Sequence, residues 1–540
     1  MYLKNLLKII ICALMFLTVI VVFQTIKLNN ENNNVEEANL VIYGDNISTN
    51  YSPFVDEGGL YVSVDTISKT VDDTIFYDKV AKKIIITTYD SVYKYKINEK
   101  KVSKNAQFLD ITTSAKLVND IAYIDINLLR DVYNVKCEYN EETNTISVDK
   151  KNIEDVSVKY NQVKVYSDLS TNSEVLETLN TNNTVYVYKD SLNHSRWYKI
   201  KTDTGVIGYV DKSCIEDIKE QPNDNIESEE KEKLIMFWQY GSSLDVLGKD
   251  IDGVDVVSPT WFSLKDDTGE VEINFSKAYY DKAKSYDYKL WPIITNGFDS
   301  GEDKKQATSD VLNDESKRET LILNIVEIIK NYNLDGINID FESMKEADKY
   351  IYTQFIRELA PMVRSVGATL SVDIYFTNYI DRSGVGRACD YLMLMGYDQR
   401  GNWSNTAGSI SEVSWVEGNI RSLIEDSKID PSKIILGVPF YTRLWTDDSK
   451  NGLSTNVYSM KNSADFVNKY NLTKQMDEKS GQNFVEYQSN GKTYKLWIED
   501  VESMERRADI VEKYNLAGII GWQKGFETED IWDMLKNKLK

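Results

Sequence analysis

The chain reads as a multidomain protein that ends in a (β/α)8 barrel, and three observations predict this. Eight strand-like apolar runs alternate with helical patterns from Leu234 to Gln523, the order that closes a parallel barrel in about 300 residues. The fourth run, Asp335-Gly336-Ile337-Asn338-Ile339-Asp340-Phe341-Glu342, alternates polar and apolar residues with period two. Ahead of these runs the sequence repeats itself, Tyr123 following Tyr61 by 62 positions. At 540 residues the chain is too long for one hydrophobic core.

The N-terminus has Lys4 and Lys8 before an apolar run of 18 residues, Ile9 to Ile26. As a helix it would extend about 27 Å, enough for a bilayer. No small-x-small cleavage site follows in FQTIKLNN. The expectation is an uncleaved signal anchor over 1–26 that holds the rest of the chain outside the membrane, with a cleaved signal peptide as the alternative. Residues 27–39 are polar and aperiodic, a solvated tether.

Residues 40–150 hold the repeat. Tyr61-Val62-Ser63-Val64 matches Tyr123-Ile124-Asp125-Ile126, and the same offset relates Tyr77 to Tyr139 and Ile84 to Ile146. Each copy reads as strand, short helix (DTISKTV; NLLRDVY), strand, turn, strand, an α+β repeat domain. It resembles the small domain at the N-terminus of copper amine oxidases, and implies that fold without copper. Residues 155–217 read as short strands with regular turns, a small all-β barrel. The run Trp197-Tyr198-Lys199-Ile200 followed by Gly205-Val206-Ile207-Gly208-Tyr209-Val210 resembles a bacterial Src-homology-3-like domain. Trp197 and Tyr209 serve either core or ligand contact there. Both domains fit a spacer or wall-binding role. Residues 218–231 are charged and aperiodic, a linker.

The catalytic candidates lie in 232–540. The strands are expected at 234–240, 254–261, 289–295, 335–342, 369–375, 390–398, 433–440 and 516–523. A small α+β insertion, about 446–500, with a hairpin at Asn490-Gly491, separates the seventh strand from the eighth. On the fourth strand, Asn338, Asp340 and Glu342 share one face. A row of carboxylates is costly unless solvated, paired or functional. A solvated edge strand and a divalent-cation site are the bland readings. The bulky opposite face and the helical sequence before it, LILNIVEIIKNYN, favour a buried parallel strand with acids at its C-terminal end, where barrels place catalysis.

Composition narrows the chemistry. A net charge of −22 argues against nucleic acid as a partner. The single histidine, His194, sits in a polar loop, which removes a Ser-His-Asp triad and His-based zinc or iron centres. Cys12, Cys137, Cys214 and Cys389 have no CxxC or zinc spacing and read as isolated thiols. No metal or cofactor is expected.

Four motifs in order resemble glycoside hydrolase family 18: DGINIDFE on strand four, Met395-Gly396-Tyr397-Asp398 on strand six, Gly437-Val438-Pro439-Phe440-Tyr441 on strand seven, and Trp522 on strand eight. The resemblance implies a retaining glycosidase without an enzymic nucleophile, in which the substrate's own 2-acetamido oxygen attacks the anomeric carbon. It implies Glu342 as general acid, Asp340 as the group that orients the acetamido N–H, and Tyr397 as donor to the acetamido oxygen. Asp398, Met395, Tyr441, Trp238 and Asn338 are substrate-side candidates, and Trp522 is the apolar floor. The chain departs from the family's Asp-Gly-x-Asp-x-Asp-x-Glu at Asn338, which is expected to keep a hydrogen bond to Asp340. Spore-associated members resemble this chain at that position. The likeness therefore points to N-acetylglucosamine-containing peptidoglycan or spore cortex. A chitin substrate, gripped along Trp238, Trp261, Trp291, Trp445 and Trp497, is the alternative, as is a sugar-binding barrel without turnover.

Overall fold

The computed structural model describes residues 37–540 except 151–153, 182, 189–195, 217–231, 298–300, 343, 378, 449 and 451. The expected anchor at 1–26, most of the tether, the linker and His194 lie outside the described residues. Among the described residues no helix is long and apolar enough to cross a membrane. The chain forms an N-terminal and a C-terminal compact unit.

In the N-terminal unit the repeat is a pseudo-twofold. Strands Gly59–Ser63 and Ile121–Asp125 pair antiparallel with Val62 opposite Ile124, so equivalent residues face each other across the axis. The hairpins match as well: Tyr77 pairs with Ile84, and Tyr139 with Ile146. The first copy has the expected helix, Val64–Thr70, capped by Ser63. The second does not. NLLRDVY gives only a 3₁₀ turn, Ile126–Leu129. There Asp125 bonds to Leu60 N and Thr113 as well as to Asn127 N, and Asn134 turns the chain through the left-handed region. The domain is therefore chiefly β.

The following domain is a six-stranded antiparallel sheet around Val163, Val165, Val185, Val187, Ile200 and Val210. Trp197 belongs to its core, buried edge-on against Tyr166 at 5.6 Å. Lys201 of this sheet and Asp149 of the repeat domain are both buried and form an ion pair; Tyr188 donates to Asp149 at 2.7 Å. This pair ties the two N-terminal domains together.

The C-terminal unit is a closed parallel barrel of β1 (Leu234–Gln239), β2 (Val256–Leu264), β3 (Lys289–Leu290 and Ile293–Thr295), β4 (Gly336–Asp340), β5 (Thr369–Ile374), β6 (Tyr391–Met395), β7 (Ile434–Pro439) and β8 (Gly518–Trp522). Each strand pairs with the next, and β1 pairs with both β2 and β8. The alternation in β4 decides its packing. Ile337, Ile339 and Phe341 are buried outward, and Phe341 stacks on Phe355 of helix Lys349–Arg364. Helix Glu315–Asn331, which feeds β4, starts at an Asp314 cap and buries Leu321, Ile322, Ile325, Val326 and Ile329. Burying each such side chain is worth about 1.5–3 kcal/mol. Gly336 is required at the start of β4, since a Cβ there would meet Trp291 at 2.5 Å and Thr369 O at 2.7 Å. Beside it, Asp335 accepts from Leu290 N and Lys284, which fixes the strand's base and leaves the other acids to its far end.

The insertion is a five-stranded antiparallel sheet within 441–498 with helix Met460–Lys469 against it. A buried network holds it to the barrel. Gln482 donates to Glu499 at 2.7 Å, Arg507 donates to Glu499 at 2.9 Å and to Ser411 O at 2.6 Å, and Ser411 donates to Gly396 O next to Tyr397.

Candidate active site

The C-terminal ends of the strands enclose a cleft of about 370 Å³ lined by Trp238, Tyr240, Ile293, Asp340, Glu342, Asp373, Tyr375, Met395, Tyr397, Asp398, Tyr441 and Trp522. The structure thus brings together every candidate named from the sequence except Asn338, which lies one layer deeper and is fully buried.

Glu342 is half-buried, and the Tyr375 hydroxyl stands 3.4 Å from its Oε1. Burial pushes its carboxyl up, Tyr375 and a hydrogen bond with Asp340 pull it down, and the charge of Asp398 pushes it up again, for a net rise. Asp340 is buried and raised well above the usual carboxylate range by desolvation, then by the charges of Glu342 and Asp373. Its Oδ1 is buried with no hydrogen-bond partner among the described residues. Asp398 adopts a left-handed backbone, φ 56°, which aspartate tolerates. It accepts from the Tyr441 hydroxyl at 2.7 Å, and burial raises it too. Tyr397 and Tyr441 are buried with their rings 6.1 Å apart, edge to face. Trp522 is partly exposed and meets Trp238 at 6.2 Å. This arrangement gathers carboxyls held above their usual range in one cleft with the Trp522 indole. It suits proton donation to a leaving oxygen.

Two expectations need correction. The hydrogen bond from Asn338 to Asp340 is not formed. Asn338 Nδ2 donates to Asp373 Oδ1 at 2.8 Å, and Asn338 Oδ1 accepts from Trp238 Nε1 at 3.0 Å. Adjacent strands lie about 4.8 Å apart, whereas residues two apart on one strand are about 6.6 Å apart, so a short amide reaches across rather than along. Trp238 lines the cleft and is almost wholly buried, its N–H donated to Asn338. Second, Trp261, Trp291 and Trp445 are buried in the core, and Trp497 donates to Asp477 at 2.7 Å inside the insertion. They do not line a groove. The exposed aromatics near the cleft are others: Tyr240 on its wall, and Trp403, whose ring lies 6.0 Å from Arg443, itself 3.9 Å from Asp398.

Sequence reasoning missed Asp373 and Tyr375. The signal was present, because TLSVDIY alternates as β4 does and sets Ser371, Asp373 and Tyr375 on one face. Among the described residues no group of three or more His, Cys, Asp or Glu side chains is arranged to hold a metal ion.

Comparison with known proteins finds relatives for each region of the chain. The profile "Copper amine oxidase N-terminal domain" matches residues 41–148 and "Bacterial SH3 domain" matches 161–216. A putative sporulation-specific glycosylase, YdhD, of Bacillus subtilis (strain 168) is 28% identical over 245 residues, 44% of this chain and 58% of that protein. The cortical fragment-lytic enzyme of the same organism is 26% identical over 274 residues, 47% of this chain and 61% of that protein. The matches thus span less than two thirds of these relatives' own length. The crystal structure of the Bacillus megaterium QM B1551 spore cortex-lytic enzyme SleL superposes with a TM-score of 0.52 at 19% identity, covering 61% of this chain and 77% of that one, and shows the same fold. The profile "Glycosyl hydrolases family 18" matches residues 233–527, more than half of the chain and the whole barrel cleft. The chain belongs to glycosyl hydrolases family 18.

Proposed function

We propose that the chain hydrolyses β-linked N-acetylglucosamine glycosides of cell-wall or spore-cortex peptidoglycan, with retention and with the substrate's acetamido group as nucleophile. The observation that carries this is the orphan Oδ1 of Asp340, a buried acceptor beside the raised acid Glu342. A buried acceptor without a donor is costly, and an acetamido N–H is the donor that would satisfy it. Glu342 protonates the glycosidic oxygen. Asp340 takes the acetamido N–H and stabilises the oxazolinium cation as charge develops. Tyr397 steadies the acetamido oxygen, and Trp522 carries the apolar face of the sugar. Peptidoglycan is favoured over crystalline chitin because Trp238, Trp261, Trp291 and Trp445, four of the five tryptophans expected to grip a chitin chain, are buried. The relatives named for cortex lysis lend the same direction.

The N-terminal domains are read as wall-directed modules, and residues 1–26 as an anchor that keeps the enzyme outside the membrane. N-terminal sequencing of the mature protein tests the anchor; a start between residues 27 and 40 removes it.

Purified protein is given peptidoglycan, cortex and chitin oligomers, and the products are analysed by mass. New reducing-end N-acetylglucosamine from peptidoglycan or cortex is expected. A thiazoline analogue of N-acetylglucosamine is expected to inhibit, and a matched glucoside with a 2-hydroxyl to be inert. Cleavage confined to chitin, or a covalent glycosyl-enzyme trapped on a carboxylate, overturns the reading.

A further inference from the structure

Asn338 removes a carboxyl from the β4 row, yet the cleft does not lack one. Asp373 on β5 is 4% exposed and lines the cleft. Its Oδ1 receives Asn338 Nδ2 at 2.8 Å. The β4–β5 register sets Asn338 beside Ser371 and Ile339 beside Val372, and one step on brings Asp340 beside Asp373. The groups that face it are Asn338 and Asp340 on β4, Glu342 just past β4, Tyr397 just past β6, and Tyr352 on the helix behind β4. Tyr375 and Asp398 lie beyond Glu342 in the same cleft. None of these is a cation. A third carboxyl buried beside two others costs stability, and an amide or an apolar residue would fill a barrel interior better.

We propose that Asp373 takes over the part of the carboxyl that β4 lacks at position 338, as a positioning residue for the reaction. It fixes the Asn338 amide, so that Oδ1 holds the Trp238 indole, and its charge keeps a proton on the Asp340–Glu342 pair. The proposal rests on the reading of Glu342 as general acid. The direction of the electrostatics agrees: the Asp373 charge raises Asp340, and Glu342 in turn raises Asp373. Three interacting carboxyls titrate together, and the last proton is held more tightly by three than by two. Loss of Asp373 therefore lets the pair surrender its proton at lower pH.

The test is the pH profile of kcat/KM on an N-acetylglucosaminide with a poor leaving group for the full chain and four variants. Asp373→Asn is expected to lower kcat ten-fold or more and to move the alkaline limb to lower pH, with a Tm unchanged or raised because a buried charge is gone. Asn338→Asp alone is expected to move the limb upward. The double variant Asn338→Asp/Asp373→Asn, which exchanges acid and amide across the same hydrogen bond, is expected to regain most of the rate and the wild-type limb. An unchanged rate and limb in Asp373→Asn, a lowered Tm with an unmoved limb, or a double variant no better than Asp373→Asn overturns the proposal. Glu342→Gln separates the two readings: activity retained there defeats the assignment of the acid itself, whereas an inactive Glu342→Gln beside an unaffected Asp373→Asn defeats only the role of Asp373.

Discussion

The Tyr375 hydroxyl, just past β5, stands 3.4 Å from Oε1 of Glu342, just past β4, and it favours the charged form of the group proposed to act as the acid. Asp398 on the β6 loop works against it, since its charge favours the protonated form. The two neighbours bracket the acid from opposite sides, so their removal has opposite consequences. Tyr375→Phe should raise the pH at which kcat/KM falls on the alkaline side. Asp398→Asn should lower it. Both shifts are read from one set of pH–rate profiles, and shifts of the same sign in the two variants would contradict this electrostatic account.

Glu342→Gln should leave the cleft intact and remove the transferable proton. General acid catalysis contributes about 10²–10⁴ in rate, so turnover of a glycoside with a poor leaving group should fall by that factor while Tm holds. Substrates with strongly acidic leaving groups should suffer less, because they need no protonation. Near wild-type turnover on the poor leaving group would reject the assignment.

The Arg507–Glu499 pair bolts the insertion wall to the barrel. Both side chains are fully buried, and burial pushes Glu499 up to about 7 against the pull of Arg507. With its folded value above the ordinary 4.5, the favourable contribution of Glu499 is complete below pH 4.5 and is lost as pH rises through about 7. Arg507→Met strands the carboxylate. Breaking a buried pair costs about 3–5 kcal/mol, and urea unfolding should show that loss at pH 8 and a much smaller one at pH 5, where Glu499 is protonated.

Lys201→Met should loosen the N-terminal unit, because among the described residues Asp149 would keep only Tyr188 and the buried pair would be broken. Calorimetry of the full chain is expected to resolve a separate, lower transition for the Src-homology-3-like sheet. A single unshifted transition would show that packing alone holds the two domains together.

Much of this protein was legible in its sequence because two periods carry most of the information. The 62-residue offset fixed the pseudo-twofold, and its axis passes between the very residues, Val62 and Ile124, that the repeat pairs. Period two in DGINIDFE determined which side chains of β4 enter the barrel, and alternation with helices determined closure. These are local rules, set by backbone geometry and by burial of one face. What lay beyond them was partnership across strands. Strand spacing, not sequence spacing, gave Asn338 to Asp373 rather than to Asp340. Core volume, not motif, buried Trp261, Trp291 and Trp445 and left Tyr240 and Trp403 at the surface. The number of carboxyls gathered in the cleft was likewise decided only when β4, β5 and β6 came together, because charge coupling follows distance in space and the chain between Asp340 and Asp398 says nothing of it.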